Sequence, residues 1–338
     1  MTSFESLSEF SDLVLSLPAG DAAALASAQG REPQLTKPEG SLGRLEDISE
    51  WLAAWQGRHP PQVEHVKMVV FAGNHGVTAK GVSAFPSEVT GQMVANFDAG
   101  GAAINQLCKL QNAELAVIPL DLDTPTADFT ETPAMTEAET VAALNTGLAV
   151  VGDGLDLLCV GEMGIGNTTS AAAICHAVFG GEPADWTGPG TGVNGVSLMN
   201  KIDVVGASAA THKEAMTDGA EVLRHLGGRE IAALVGVIVG ARLNRTPVIL
   251  DGYVTCAAAA ILHALNSQAL DHCQVGHVSA EPGHPRLLRK LGKLPLLALG
   301  MRLGEGSGAA LAINILKASA ACHAGMATFG EAGVSDKD

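Results

Sequence analysis

Aromatic side chains are scarce. Eight Phe, three Trp and one Tyr make up 4% of the 338 residues, so the core must be built from Ala, Val, Leu and Ile instead of large rings. No two of the six cysteines (Cys108, Cys159, Cys175, Cys256, Cys273, Cys322) form a C-x-x-C pair, and most sit in apolar stretches, which points to reduced, buried thiols. Basic residues are also few, 20 against 36 acidic ones for a formal charge of −16. That balance argues against a general nucleic-acid binder, which needs clustered Lys and Arg, and obliges any phosphorylated ligand to find local donors. Long apolar runs are missing too: Ile231 to Ala241 is bounded by Arg229, Glu230 and Arg242, and Ala309 to Leu316 is followed by Lys317. Both are too short to span a bilayer. The first basic residue, Arg31, follows Glu5, Glu9 and Asp12, so the basic n-region of a signal peptide is absent and a cytoplasmic location is expected.

What the chain does have is length for roughly two structural units and 47% hydrophobic residues, which excludes disorder. It also has 40 glycines, well above the usual level of about 7% and without a collagen period. Residues 1–58 read as helices around a Pro/Gly break, with Trp51 and Trp55 on one helical face. From residue 66, short Val/Ile/Leu runs alternate with helical stretches, the pattern of a mostly parallel α/β sheet with helices on both faces. The expected strands are Val66 to Ala72, Leu115 to Leu120, Leu155 to Val160, Pro247 to Leu250, Gln274 to Ser279 and Leu296 to Met301. Four of them run into polar, glycine-containing loops at Gly73, Gly161, Asp251 and Gly304. Ligands of open α/β sheets sit outside the carboxyl ends of the strands, so these loops are the place to look. The tail from Gly330 is expected to fray.

Gly190-Thr191-Gly192-Val193-Asn194-Gly195 matches the dinucleotide fingerprint G-x-G-x-x-G, but the preceding Gly181 to Pro189 is no buried strand, so a Rossmann dehydrogenase is disfavoured. The run Gly161 to Ser170 is more informative: three hydroxyls and several glycine amides crowd a helix start, which suits an anion, or else serves only as a helix cap. No Lys precedes the Thr pair, so it is not a Walker A loop. Gly304-Glu305-Gly306-Ser307-Gly308 has the same setting but places a carboxylate between glycines, either as a proton acceptor or as a favourable charge at a helix start. His272, Cys273, His277 and His284 complete no recognisable metal spacing. Asp251 ends a strand without a second acid beside it, so Mg²⁺-pyrophosphate chemistry is unsupported.

Taken in order, several motifs resemble one enzyme family: Lys37-Pro38-Glu39-Gly40-Ser41-Leu42-Gly43-Arg44-Leu45-Glu46, Gly73-Asn74-His75-Gly76-Val77, the Gly161 to Thr169 loop, Asp251-Gly252, Ser279-Ala280-Glu281-Pro282-Gly283-His284 and Gly304 to Gly308. The set is similar to the nicotinate-nucleotide:dimethylbenzimidazole phosphoribosyltransferases over about residues 30 to 325. That resemblance implies transfer of ribose 5-phosphate from nicotinate mononucleotide to 5,6-dimethylbenzimidazole or a related base, giving α-ribazole 5′-phosphate and nicotinate, in cobalamin biosynthesis. It implies no cofactor and no metal, a homodimer, a large Rossmann-like domain over 59–305, and a small helical domain from both chain ends, 1–58 and 306–338.

The family's catalytic carboxylate falls on Glu305, with Glu162 and Lys201 as further catalytic or binding groups. Gly164, Gly166, Thr168, Gly190, Thr191 and Asp251 would hold the ribose phosphate, and Phe85, Met93, Met163 and Leu303 would wall the base pocket. Three departures stand out. Asn74 occupies a position where the family commonly has Asp, Pro189 one where Arg is common, and Phe85 and Met93 replace more polar residues of some members. The identity of the accepted base is therefore left open, and a non-catalytic nucleotide-binding protein of the same fold is the alternative.

Overall fold

The computed structural model describes residues 3–335; the outer ends of the two expected helical segments, residues 1–2 and 336–338, lie outside them. Six strands, β1 Val66–Ala72, β2 Glu114–Pro119, β3 Leu157–Met163, β4 Val248–Leu250, β5 Cys273–His277 and β6 Pro295–Leu297, form one sheet in the order β2-β1-β3-β4-β5-β6. Every neighbouring pair is parallel. Such a sheet needs both faces covered, and alternate residues supply the two cores. Val69, Phe71, Leu158, Val160, Leu250 and Val275 face the helices Glu137–Ala149, Asn167–Phe179, Arg229–Leu243 and Tyr253–Leu265. Met68, Val70, Leu157, Cys159 and Ile249 face Arg44–Gln56, Ala103–Gln111 and Ser307–Gly325. The expected α/β architecture with helices on both faces is what forms.

Strand limits differ from the sequence reading in one place that matters. Gly161, Glu162 and Met163, expected in a loop, belong to β3, because β1 is long enough to pair Phe71 with Glu162 and Ala72 with Met163. The following helix starts at Asn167, inside the Gly161 to Ser170 run. At the far edge β6 stops at Leu297, and residues 298–303 run on without strand pairing except where Ala280 N–H donates to Met301 O.

The chain ends meet. Arg31 donates to the carbonyls of His323 and Met326, Leu35 bridges Thr328, and Lys37 lies 3.1 Å from Glu32 and 2.8 Å from Glu46. His323 closes the cluster, with Nδ1 2.5 Å from Glu32. The first resembling motif is thus a buried tie between chain ends. The segment from Gly330 does not simply fray: Phe329–Ala332 is a short helix capped by Thr328 and Glu331.

The helices Glu137–Ala149 and Arg229–Leu243 touch backbone to backbone. A Cβ on Gly147 would strike the Ala233 carbonyl, and one on Gly236 the Leu144 carbonyl. Gly236→Ala is therefore expected to cost about 1–3 kcal/mol by overpacking. Gly152→Ala, in open space, is expected to stay within about 0.5 kcal/mol; paired denaturant melts check the contrast.

Candidate active site

The order of strands reverses between β1 and β3, and beside that point, outside the carboxyl ends of β3 to β6, lies a cavity of about 420 Å³. This is where an open α/β sheet offers a crevice. Its wall takes in Glu162 and Met163 at the end of β3, Gly164 and Thr168 after it, Tyr253 after β4, His277 at the end of β5 and Glu281 after it, and Arg302 to Glu305 after β6. Phe85 and Met93 close one side, and Gly190 and Thr191 another. Ten of the thirteen residues singled out in the sequence line it.

Glu305 is the best defined. It is buried, with Oε2 unpartnered, and its backbone sits at φ +63° between Gly304 at +83° and Gly306 at +80°. Three successive left-handed residues are tolerable only where two are glycine, which explains the G-E-G spacing. The Glu305 N–H donates to Glu162 O at 3.1 Å, stitching the loop to β3. Burial pushes the Glu305 carboxyl up to about 7, and the neighbouring Asp251 adds to the rise.

Asp251, expected from the resemblance to hold ribose phosphate, does not reach the cavity. It is fully buried and outside the cavity wall, and its carboxylate accepts the N–H groups of Gly306 (3.1 Å), Gly308 (2.7 Å) and Ala309 (2.9 Å). A strand-end acid reads from sequence as a ligand group; here it caps the helix Ser307–Gly325. Burial raises it to about 7 against those three donors.

Glu162 is driven further, up to about 8, by burial first and by Asp251 next. Asn167 Nδ2 donates to one of its oxygens. Glu162 and Glu305 are thus two buried carboxyls on one wall, both with raised proton affinity.

Lys201, on the helix Gly195–His212, is also behind the wall instead of in it, buried with Nζ donating to Thr168 Oγ1 (2.8 Å) and Gly188 O (3.0 Å). Burial lowers it to about 8, opposed by Glu281. Gly166, at φ +96°, is the N-cap of the helix Asn167–Phe179, behind Thr168. The Gly190 loop is stapled to the segment carrying Phe85: Thr191 Oγ1 bonds Ser83 Oγ at 2.9 Å and accepts the Ala84 N–H at 3.1 Å.

Phe85 and Leu303 are more than half exposed at the cavity mouth, so neither is core packing. Met93 packs partly against the core beneath. Asn74 lies outside the wall, donating to Leu122 O.

Glu281, Arg302 and His277 are among the wall residues that the sequence gives no site role. Glu281 accepts the Gly190 N–H at 2.9 Å, and it stands within a motif already quoted above. Arg302 donates to Gly190 O at 2.9 Å and is announced by no motif. His277 had been weighed only as a metal ligand, but it borders the cavity 3.7 Å from Asp251. Its supposed co-ligands are engaged elsewhere: His272 bonds Ile238 O, and His284 Nδ1 accepts the Ser279 N–H. The glycine fingerprint at Gly190 precedes a helix but follows no strand among the described residues.

A parallel α/β sheet with a helix N-terminus, threonine and lysine on one side of a strand-end cavity and a lifted carboxyl on the other defines a group-transfer enzyme acting on an anionic ligand. The comparisons specify it. A family model described as phosphoribosyltransferase matches residues 17–334. The chain is 61% identical over 330 residues to the nicotinate-nucleotide–dimethylbenzimidazole phosphoribosyltransferase of Ruegeria sp. (strain TM1040), with 98% of each chain covered. It is 58% identical over 330 residues to that of Rhizobium meliloti (strain 1021), with 98% of this chain and 97% of the other covered. The crystal structure of CobT from Thermus thermophilus superposes with a TM-score of 0.87 at 40% identity, covering 93% of this chain and all of that one. The chain belongs to the nicotinate-nucleotide–dimethylbenzimidazole phosphoribosyltransferase family.

Because the Asp251 charge contributes to the height of both lifted carboxyls, Asp251→Asn is expected to lower the titration points of Glu162 and Glu305. Carboxyl carbon NMR with glutamate labelling should find Glu305 near 7 in the unaltered protein and below that in the variant.

Proposed function

We propose that this chain transfers ribose 5-phosphate from nicotinate mononucleotide to 5,6-dimethylbenzimidazole or a related base, forming α-ribazole 5′-phosphate and nicotinate. The observation that carries the reading is the buried Glu305 carboxyl, lifted to about 7 with Oε2 unpartnered, facing a cavity walled by Phe85, Met93, Met163 and Leu303. A flat, largely apolar base fits such a wall, and the Gly164–Thr168 and Gly190–Thr191 segments suit the ribose phosphate.

In this reading one ring nitrogen of the base attacks the anomeric carbon from the face opposite nicotinate. The carbon–nitrogen bond to the pyridinium breaks and its electron pair stays with the departing nitrogen, leaving neutral pyridine. The base would become cationic as its nitrogen bonds to carbon, and Glu305 takes the proton from the other ring nitrogen. Glu162, whose carboxyl is likewise raised by burial, lies on the same wall with Asn167 donating to one of its oxygens. Lys201 fixes the Thr168 hydroxyl toward the phosphate.

The enzyme is proposed to act in the cytoplasm as a homodimer. Supporting the dimer, Val196 and Met199 are exposed on the helix that follows the Gly190 loop, and Phe85 and Leu303 are exposed at the cavity mouth. Sedimentation is expected to give twice the chain mass, and Met199→Asp a shift toward the single chain.

Incubation of the purified protein with nicotinate mononucleotide and 5,6-dimethylbenzimidazole is expected to yield nicotinate and α-ribazole 5′-phosphate in equal amounts, read by chromatography and mass spectrometry. Donor binding without nicotinate release would favour the non-catalytic alternative. Glu305→Gln should lower turnover about 10²- to 10⁴-fold with little loss of donor affinity. Since the ionised carboxylate is the active form, the rate should rise with pH through about 7 and level off above it.

A further inference from the structure

The motif Gly73-Asn74-His75-Gly76-Val77 contributes no side chain to the cavity wall, yet its histidine is one half of an ion pair with no exposed surface. His75 Nε2 lies 2.5 Å from Glu230 Oε1, and both side chains are wholly buried. An ionised carboxylate can only accept, so the proton of this contact is on Nε2. Glu230 stands in the first turn of the helix Arg229–Leu243. Its neighbour Arg229 is engaged elsewhere, donating to Thr124 O and to Glu139. A buried ion pair costs desolvation that an apolar pair would not, so the reason for this one is to be sought in what it touches.

It touches the turn that follows β3. The Gly73 N–H donates to Met163 O at 3.0 Å where β1 and β3 end, and the pair is packed against both ends. A Cβ on Gly73 would strike Glu230 Oε2, and one on Gly228 would strike the His75 ring. A Cβ on Gly164 would lie 3.1 Å from Glu230 Oε1 and 3.2 Å from Asn167 Nδ2, so this carboxyl and this amide share the space beside one α-carbon. Asn167 gives one N–H to Glu162; an amide nitrogen carries two, so a second remains for Glu230, whose Oε2 has no partner. The charge of Glu230 reaches Glu162 as well. Burial is the main cause of the rise at Glu162, Asp251 the next, and Glu230 and Glu305 each add to it. At Glu305 the causes are burial and Asp251, without Glu230.

We infer that His75 and Glu230 are a positioning pair for the reaction: the imidazole holds the Glu230 carboxylate behind Gly164, and through Asn167 that carboxylate fixes the Glu162 carboxyl on the cavity wall. The inference rests on the phosphoribosyl transfer reading above and adds to it two residues that touch no substrate. Gly73, Gly164 and Gly228 lack side chains because the pair and Asn167 fill the space beside them.

Glu230→Gln keeps the shape and an acceptor for His75 but removes the charge. With nicotinate mononucleotide and 5,6-dimethylbenzimidazole it should lower kcat about 10- to 100-fold and change the donor KM less than about 3-fold. In a Glu162→Gln background the same change should cost nothing further, because the pair acts through Glu162; a general structural loss would add in both backgrounds. The histidine gives a second comparison. His75→Gln can place an amide N–H where Nε2 stands and should keep kcat within about 3-fold, whereas His75→Asn reaches only the Nδ1 position and should match Glu230→Gln. If Glu230→Gln does not fold, the histidine pair decides. Unchanged turnover in Glu230→Gln, a loss that adds fully to that of Glu162→Gln, or equal losses in the two histidine variants would overturn the assignment. If the unaltered enzyme forms no product, the reaction reading has failed, and carboxyl carbon NMR without substrate decides the inference separately. Glu230→Gln should then lower the titration point of Glu162 and leave that of Glu305 in place; no movement at Glu162, or equal movement at both, would contradict the coupling.

Discussion

The site depends on one carboxylate that never meets the cavity. Asp251, at the end of β4, accepts three N–H groups from the start of the helix Ser307–Gly325. Those donors would otherwise be orphans in a buried place, so the bond set fixes both the entry of the helix onto the sheet and the left-handed turn ahead of it. Glu305 sits on that turn. The same charge that organises the turn raises Glu305 and Glu162, so one residue sets the position of the base and contributes to its proton affinity. Gly161 belongs to this arrangement, since a Cβ on it would press against the Gly306 backbone; the β3 strand and the Glu305 loop approach too closely for any side chain there.

Around this centre, the two halves of the cavity face different chemistry. The β3 side, with Gly164, Thr168 and Lys201 behind it, collects donors for an anion. The mouth, with Phe85, Met93, Met163 and Leu303, is apolar, and Thr191 links it to the anion side through Ser83 and Ala84. The tie among Glu32, Lys37, Glu46 and His323 plays its part at a distance, joining the chain ends so that the helix carrying the Asp251 cap stays on the sheet.

The sheet was legible because parallel strands buried on both faces read as continuous apolar runs, as in Val66–Ala72. The end of β3 was not, because glycine and glutamate look like loop residues until β1 is seen to pair with them. Glu305 and the wall residues Phe85, Met93, Met163 and Leu303 were reached through motif resemblance, and the fold brings them to one cavity. Asp251 could not be placed from sequence because a carboxylate at a strand end has the same signature whether it faces a ligand or a helix N-terminus; the Gly306, Gly308 and Ala309 amides put it against the helix. Lys201 and Gly166 lie one layer back from where sequence put them. Arg302 had no motif to announce it, since its bond to Gly190 O joins residues 112 positions apart in the chain.

A crystal structure with 5,6-dimethylbenzimidazole bound is the most direct test of the central claim that Glu305 receives the proton of the attacking base. The account predicts the ring between Phe85, Met93, Met163 and Leu303 with one nitrogen about 2.6–3.2 Å from a Glu305 carboxyl oxygen and the other turned toward the Gly164–Gly190 side. A base seated in the cavity with neither nitrogen within reach of Glu305 would contradict it.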